Sequence, residues 1–88
     1  MNQWEIIIPK RTEKRMDKFP EKIRDLVYLF IEALHETPFP QGFNIEKLRG
    51  TRNCFRAKFG DYRIIYCVYK KSKTIIITDA FHRGRGYR

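Results

Sequence analysis

A short stretch in the second half of the chain places basic side chains where they could hold an anion. Two runs of alternating apolar and polar residues flank Gly60-Asp61, a dipeptide suited to a two-residue hairpin turn with positive φ. In that hairpin Lys58 lies opposite Arg63, and Arg56 follows on the same face. Because like charges opposite one another destabilise a sheet, we interpret this face as an anion-binding surface.

The charge of the chain is distributed unevenly. The net charge is +9; residues 1–48 hold eight Lys or Arg and eight Asp or Glu, whereas residues 49–88 hold eleven Lys or Arg and only two carboxylates, Asp61 and Asp79. This asymmetry indicates a polyanionic partner for the second half. So few carboxylates argue against a two-metal site, and the Cys and His spacing matches no zinc pattern. We therefore expect no metal and no other cofactor.

Length and composition indicate one globular domain over residues 1–88. The longest apolar run, Leu26 to Ile31, is six residues, far too short to span a membrane. The N-terminus has no signal pattern, so we expect a cytoplasmic protein. Cys54 and Cys67 would be cross-strand neighbours in the hairpin; in a cytoplasmic protein we expect them to be reduced.

The remaining elements must position the hairpin. β-Branched and aromatic residues predict a strand over residues 3–8, and Thr12 is a candidate N-cap for a helix ending near residue 18. Apolar residues recur at three- and four-residue steps from Ile23 to Leu34, including Leu26, and predict a second helix from Pro20 to His35. A loop is predicted over residues 37–43, and the segment 46–50 then leads into the hairpin. After the hairpin we expect a strand over residues 74–78 and a basic tail over residues 82–88. The order β-α-α-β-β-β predicts an α+β fold, an antiparallel sheet with a helical hairpin on one face and the cations on the other.

Three segments resemble the RelE branch of the RelE/ParE toxin superfamily, particularly its archaeal members: Lys47–Gly50, Phe55–Tyr66 and His82–Tyr87. The resemblance extends over nearly the full length and implies the microbial-RNase-like fold of that family. It also implies a toxin of a type II toxin–antitoxin system that cleaves mRNA in the ribosomal A site without a metal ion. Its partners would be the ribosome, mRNA and a largely helical, acidic, RelB-like antitoxin that crosses the basic face in a hetero-oligomer.

The family's functional positions fall on five residues of this chain. The family's basic pair on the first hairpin strand corresponds to Arg56 and Lys58, and its arginine on the second strand corresponds to Arg63. Its arginine after the last strand corresponds to Arg83, and its C-terminal tyrosine corresponds to Tyr87. The first of the basic pair is usually lysine, so Arg56 is a departure. The tail is also shorter than in bacterial relatives, which leaves Arg85 as an alternative to Arg83. The residues that we expect to contact RNA without catalysing the reaction are Arg49, Arg56, Arg85 and Arg88.

The cleavage that the resemblance implies is attack of a 2′-hydroxyl group on the adjacent phosphorus, with loss of the 5′-oxygen. It requires a base, cations around the phosphorane and an acid. Lys58 and Arg63 could hold the scissile phosphate. The base is open between Lys58, if its pKa is lowered, and His82. Some relatives use an upstream glutamate, and Glu46 lies near that position, but we do not assign it the role. Arg83 would stabilise the transition state or act as the acid, and Tyr87 would stack on or orient a nucleotide.

Two other functions fit the same residues. A ParE-like inhibitor of DNA gyrase would share the fold and bind a protein, although the basic tail with its tyrosine favours the RNA-cleaving branch. A basic module that binds RNA or the ribosome without catalysis would need only the cations.

Overall fold

The computed structural model describes residues 3–84, in which two helices and five strands follow one another along the chain. Neither helix is long and apolar enough to cross a membrane. The elements are β1 (Glu5–Ile7), α1 (Lys10–Met16), α2 (Glu21–Leu34), β2 (Asn44–Lys47), β3 (Cys54–Phe59), β4 (Tyr62–Tyr69) and β5 (Thr74–His82).

The strands form one sheet in the order β1-β5-β4-β3-β2. The α+β class predicted from the sequence is confirmed, but the sheet is mixed rather than antiparallel, because β1 pairs in parallel with β5. β2 was not predicted. It has a single strongly apolar residue, Ile45, which pairs with Ala57 of β3, so its conformation depends on pairing with β3 rather than on its own pattern.

The predicted hairpin register is confirmed. Phe59 pairs with Tyr62 and Lys58 with Arg63 across the turn. Gly60 has a φ of 61°, which glycine adopts without strain. The residues that alternate with the cations form the core face, and those that are buried are Ala57, Phe59, Ile64, Tyr66 and Val68.

α2 agrees closely with its prediction, with Pro20 at the N-cap and His35 at the C-cap. Val27, Phe30 and Leu34 are buried and pack with the core face of the sheet. Leu26 was wrongly included in the buried stripe, since it is 45% exposed. With 3.6 residues per turn it lies roughly a quarter of a turn from the centre of the stripe, beyond the reach of the sheet.

α1 begins two residues before the predicted cap. Its N-cap is Pro9, and Thr12 lies inside the helix, 2% exposed. The Thr12 hydroxyl donates to the carbonyl of Thr78 at 3.1 Å, which replaces the predicted capping role. An ion pair between Arg15 and Asp79 at 2.5 Å adds a second link to β5. Because β1 pairs only with residues 74–76, α1 covers part of the β5 edge that β1 leaves unpaired.

β5 is longer than predicted and ends at His82 rather than near Thr78. Its pairing with β4 shifts register between Ile65 and Tyr66 and then continues to the end of the strand. The irregularity interrupts the alternation that sequence patterns detect, which explains the early predicted end.

The expectation of reduced cysteines is wrong, because Cys54 and Cys67 form a disulfide. The two residues pair directly across β3 and β4, with their Cα atoms 4.0 Å apart. The sequence established that they would be neighbours, whereas the bond itself depends on how closely the strands bring the two side chains together.

A buried hydrogen bond of Tyr66 contributes to the stability of the core, and this contribution can be measured. Its hydroxyl donates to the buried Pro38 carbonyl at 2.7 Å, and burial raises the pKa of Tyr66, so the phenol stays neutral. We expect Tyr66→Phe to lower the free energy of unfolding by about 1–2 kcal/mol, because the carbonyl loses its donor. Urea denaturation measures this change, and Tyr69→Phe, at a side chain that is 42% exposed, is the control, with an effect within about 0.5 kcal/mol. Equal effects of the two substitutions would contradict the role of the hydrogen bond.

Candidate functional site

The face of the sheet opposite the helices carries three basic side chains from the hairpin, Arg56, Lys58 and Arg63, which we call the cationic face. Lys58 and Arg63 are cross-strand partners, and Arg56 is two residues from Lys58 along β3, so all three project to one side. The side chains of Arg56 and Lys58 are 37% and 33% exposed, so solutes can reach them. Three positive charges therefore lie within the span of a few strand residues.

The hairpin turn contacts the guanidinium groups of two arginines, Arg63 and Arg83. Arg63 donates through one nitrogen to the carbonyls of Gly60 at 2.8 Å and Tyr62 at 3.0 Å. The backbone of Arg83 donates to the Asp61 carbonyl at 2.7 Å, and its Nε lies 3.5 Å from the Asp61 carboxylate. Because Gly60 and Asp61 are consecutive, the turn brings the predicted residues Arg63 and Arg83 to the same end of the sheet as Lys58.

Glu46 of β2 lies among the cations of β3. It pairs with Arg56 in the sheet register, and its Oε2 accepts hydrogen bonds from Nε and Nη2 of Arg56, the former at 3.0 Å. The Nζ of Lys58 lies 3.5 Å from the same oxygen. The carboxylate is 40% exposed, so this cluster is open to water.

The electrostatic consequence is visible in the pKa of Glu46. The hydrogen bond from Arg56, together with the charges of Arg56 and Lys58, holds this pKa below its usual value of 4.5, against a partial opposing contribution from desolvation. The folded state therefore favours the charged carboxylate. Its contribution to stability is present above about pH 4.5 and is lost as the pH falls through the lowered value.

A titration checks this cluster. We expect the carboxyl carbon of Glu46, followed by NMR, to titrate with a midpoint below 4.5 in the folded chain. In Arg56→Gln the midpoint should rise, because the strongest contact is removed. Arg11→Gln removes the same charge from the exposed surface of α1 and should leave the midpoint unchanged. A midpoint that does not respond to Arg56→Gln would contradict the assigned cause.

His82 does not join the cationic face. It pairs with Tyr62 in the sheet and lies on the side of the sheet that the helices cover. The rings of the two residues meet edge to face, with their centroids 4.9 Å apart. Its Nδ1 accepts a hydrogen bond from the backbone of Gly84 at 3.0 Å. It lines a cleft of about 570 Å³ on that side, together with Arg15, Lys18, Phe19, Tyr62, Ala80 and Phe81.

Of the other predicted site residues, Arg49 lies within the described part of the chain, and it is not brought to this site. Arg49 is exposed in the connection between β2 and β3, at the opposite end of β3 from the hairpin turn. Arg85, Tyr87 and Arg88 lie outside residues 3–84. Within those residues, no group of three or more His, Cys, Asp or Glu side chains is arranged to hold a metal ion.

Two acidic residues belong to the site in ways that the sequence did not indicate. Asp61 was interpreted only as a turn residue, yet its carboxylate holds Arg83. Glu46 entered only as a base that some relatives use, yet it contacts both Arg56 and Lys58. Recognising β2 as a strand would have placed Glu46 opposite Arg56, so the missing signal was the pairing of β2.

Comparison with known proteins identifies close relatives of this fold and sequence. Residues 6–87 match the family described as the ParE toxin of the type II toxin–antitoxin system, parDE. The chain is similar to the archaeal RelE–RelB complex of Pyrococcus horikoshii OT3, with a TM-score of 0.81 and 34% identity over 98% of this chain and 100% of that one. The chain is also similar to the RelB–RelE antitoxin–toxin complex of Methanococcus jannaschii, with a TM-score of 0.79 and 27% identity. This match covers 90% of this chain and 92% of that one. A Methanocaldococcus jannaschii protein provisionally named toxin RelE1 is 28% identical over 87 residues, which are 98% of this chain and 97% of that protein.

Proposed function

The chain belongs to the RelE/ParE superfamily of type II toxin–antitoxin toxins, and from that premise we propose that it is a ribosome-dependent endoribonuclease that cleaves mRNA in the A site. The observation that carries the proposal is the pairing of Lys58 with Arg63 on the cationic face, beside a turn whose Asp61 carboxylate contacts Arg83. A small basic surface of this kind suits a phosphate group of single-stranded RNA.

In the proposed reaction the 2′-hydroxyl oxygen attacks the adjacent phosphorus and the bond from phosphorus to the 5′-oxygen breaks. The products are a 2′,3′-cyclic phosphate and a 5′-hydroxyl group, so no other reactant is consumed. One proton leaves the attacking hydroxyl group and one is delivered to the departing oxygen. Arg63 and Lys58 hold the scissile phosphate, and Arg83 stabilises the added negative charge or protonates the leaving oxygen. Tyr87, in the tail, stacks on or orients a nucleotide.

The positions of the three candidate bases decide which of them we propose as the proton acceptor. His82 lies on the helix-covered side of the sheet, away from Lys58 and Arg63, so we remove it from this role. Glu46 is near the cations, but its lowered pKa makes it a weak base near neutrality. Lys58, which lies opposite Arg63 on the cationic face, is therefore the candidate that we retain.

For partners, we propose an acidic, largely helical antitoxin that covers the cationic face. The proposal is supported by the similar Pyrococcus and Methanococcus structures, which are complexes of RelE with RelB. An acidic segment on this face would compete with RNA for the same cations. Action on ribosomes would place the chain in the cytoplasm.

Primer extension on mRNA in a purified translation system tests the proposal. Discrete cuts within the codon in the A site are expected when the chain is added. Ribosome stalling without cuts would instead identify a binding module and would overturn the enzymatic proposal.

One comparison favours a second candidate, because the matching family model is that of the ParE toxin. A ParE-like chain would inhibit DNA gyrase rather than cleave RNA. A gyrase supercoiling assay separates the two, since the proposed ribonuclease leaves supercoiling unchanged. Loss of supercoiling together with intact mRNA would replace the leading proposal with this one.

A further inference from the structure

We propose that Glu46 is an intramolecular competitor of RNA phosphate, which occupies Arg56 and Lys58 in the free protein and is displaced when RNA binds. This inference rests on the proposed function, since it concerns the affinity of the same face for RNA. It assigns Glu46 a role in setting affinity, distinct from proton transfer.

The contacts of Glu46 resemble those that a phosphate would make. Two nitrogens of Arg56 and the Nζ of Lys58 all converge on one oxygen, Oε2. A non-bridging phosphate oxygen carries similar charge and accepts the same donors. The carboxylate therefore holds the two side chains in an arrangement that a phosphate group can take over.

The exposure of the cluster makes this exchange feasible. The side chains of Glu46, Arg56 and Lys58 are 40%, 37% and 33% exposed. Ion pairs at such positions contribute little net stability, because both partners remain well hydrated when they separate. An arriving phosphate thus has only a weak internal contact to replace.

Arg63 differs from the other two cations in its partners. Its guanidinium group donates to the neutral carbonyls of Gly60 and Tyr62, so these contacts do not offset its charge. Within residues 3–84, the cationic face therefore divides into a part at Arg63 whose charge is not offset and a part at Arg56 and Lys58 whose charge is partly offset by Glu46. RNA would be attracted first by Arg63 and would gain the remaining contacts only by displacing Glu46.

Salt dependence reports the exchange. Because Glu46 competes for Arg56 and Lys58, RNA makes fewer full phosphate contacts in the wild type and releases fewer of the cations that are condensed on it. In Glu46→Gln both side chains are open to phosphate. For single-stranded RNA each phosphate contact adds about 0.7 to the slope of log K against log salt concentration, so the slope should steepen by up to about 1.4.

The experiment measures fluorescence anisotropy of a short, labelled, single-stranded RNA with 2′-O-methyl groups, which binds but cannot be cleaved. Between about 50 and about 200 mM salt, Glu46→Gln should show the steeper slope and, at the low end, binding that is tighter by a factor of about 2–5. Glu32→Gln, at an exposed position of α2, makes the same change in net charge and should shift both quantities much less. Glu46→Ala should behave like Glu46→Gln, so the result does not depend on one substitution.

Each outcome has a definite meaning. The inference is overturned if Glu46→Gln binds no more tightly than Glu32→Gln while Arg56→Gln and Lys58→Gln both weaken binding. If neither of these cation variants weakens binding, the proposed phosphate site fails as well. In the Arg56→Gln/Lys58→Gln background, Glu46→Gln should have no more effect than the control, because the groups that it releases are gone.

Discussion

Arg63→Gln is expected to reduce the rate of A-site mRNA cleavage by about 10²–10³-fold, the loss typical of removing one preorganised donor to a charged transition state. The side chain is held by the carbonyls of Gly60 and Tyr62, so its position is set before substrate arrives. Glutamine retains hydrogen-bonding ability but lacks the charge, which isolates the electrostatic contribution. Primer extension at a fixed ribosome concentration measures the rate.

The matched control is Arg11→Gln, which removes a positive charge from the exposed surface of α1. It should retain cleavage within a few-fold, because it lies in α1, which packs on β5 rather than on the hairpin. Thermal unfolding should show that both variants fold. Cleavage by Arg63→Gln at the wild-type rate would refute the assignment of this residue.

Reduction of the Cys54–Cys67 disulfide is expected to lower the free energy of unfolding by about 3 kcal/mol. The bond closes a loop of 13 residues in sequence separation, and the chain-entropy model gives about this value for such a loop. For a domain of this size the melting temperature should fall by about 12–24 °C. Thermal unfolding followed by circular dichroism, with and without reductant, measures the change.

The double variant Cys54→Ser/Cys67→Ser is the control for this experiment. It should melt near the temperature of the reduced wild type, and added reductant should not change it. Alkylation of the unfolded wild type before reduction should modify neither thiol. If both thiols react without reductant, the disulfide is absent and the predicted destabilisation does not apply.

RNA and an acidic antitoxin would use the same physical feature, the excess charge of the hairpin. Arg56 and Lys58 are already partly compensated by Glu46, and Arg83 by Asp61, whereas the described contacts of Arg63 are to neutral carbonyls. We therefore expect Arg63 to govern the first encounter with either polyanion, since long-range attraction depends on charge that is not already paired.

The amino-acid sequence by itself determined the hairpin register, the α2 helix and the segregation of charge. These follow from local rules: Gly60 permits a tight turn, side-chain alternation then pairs Lys58 with Arg63, and the helical stripe needs only the spacing of its apolar residues. Each rule acts over a few residues, so a single sequence is sufficient to apply it.

Tertiary structure alone decided the features that depend on contacts between distant segments. β2 forms because β3 offers it a partner, which brings Glu46 to Arg56 and Lys58. The extension of β5 puts His82 on the helix-covered side of the sheet. Thr12 does not cap α1; its hydroxyl group links the helix to β5 by a hydrogen bond to the carbonyl of Thr78. In each case the deciding interaction joins groups whose proximity no local pattern encodes, because it arises only when the strands and helices have assembled.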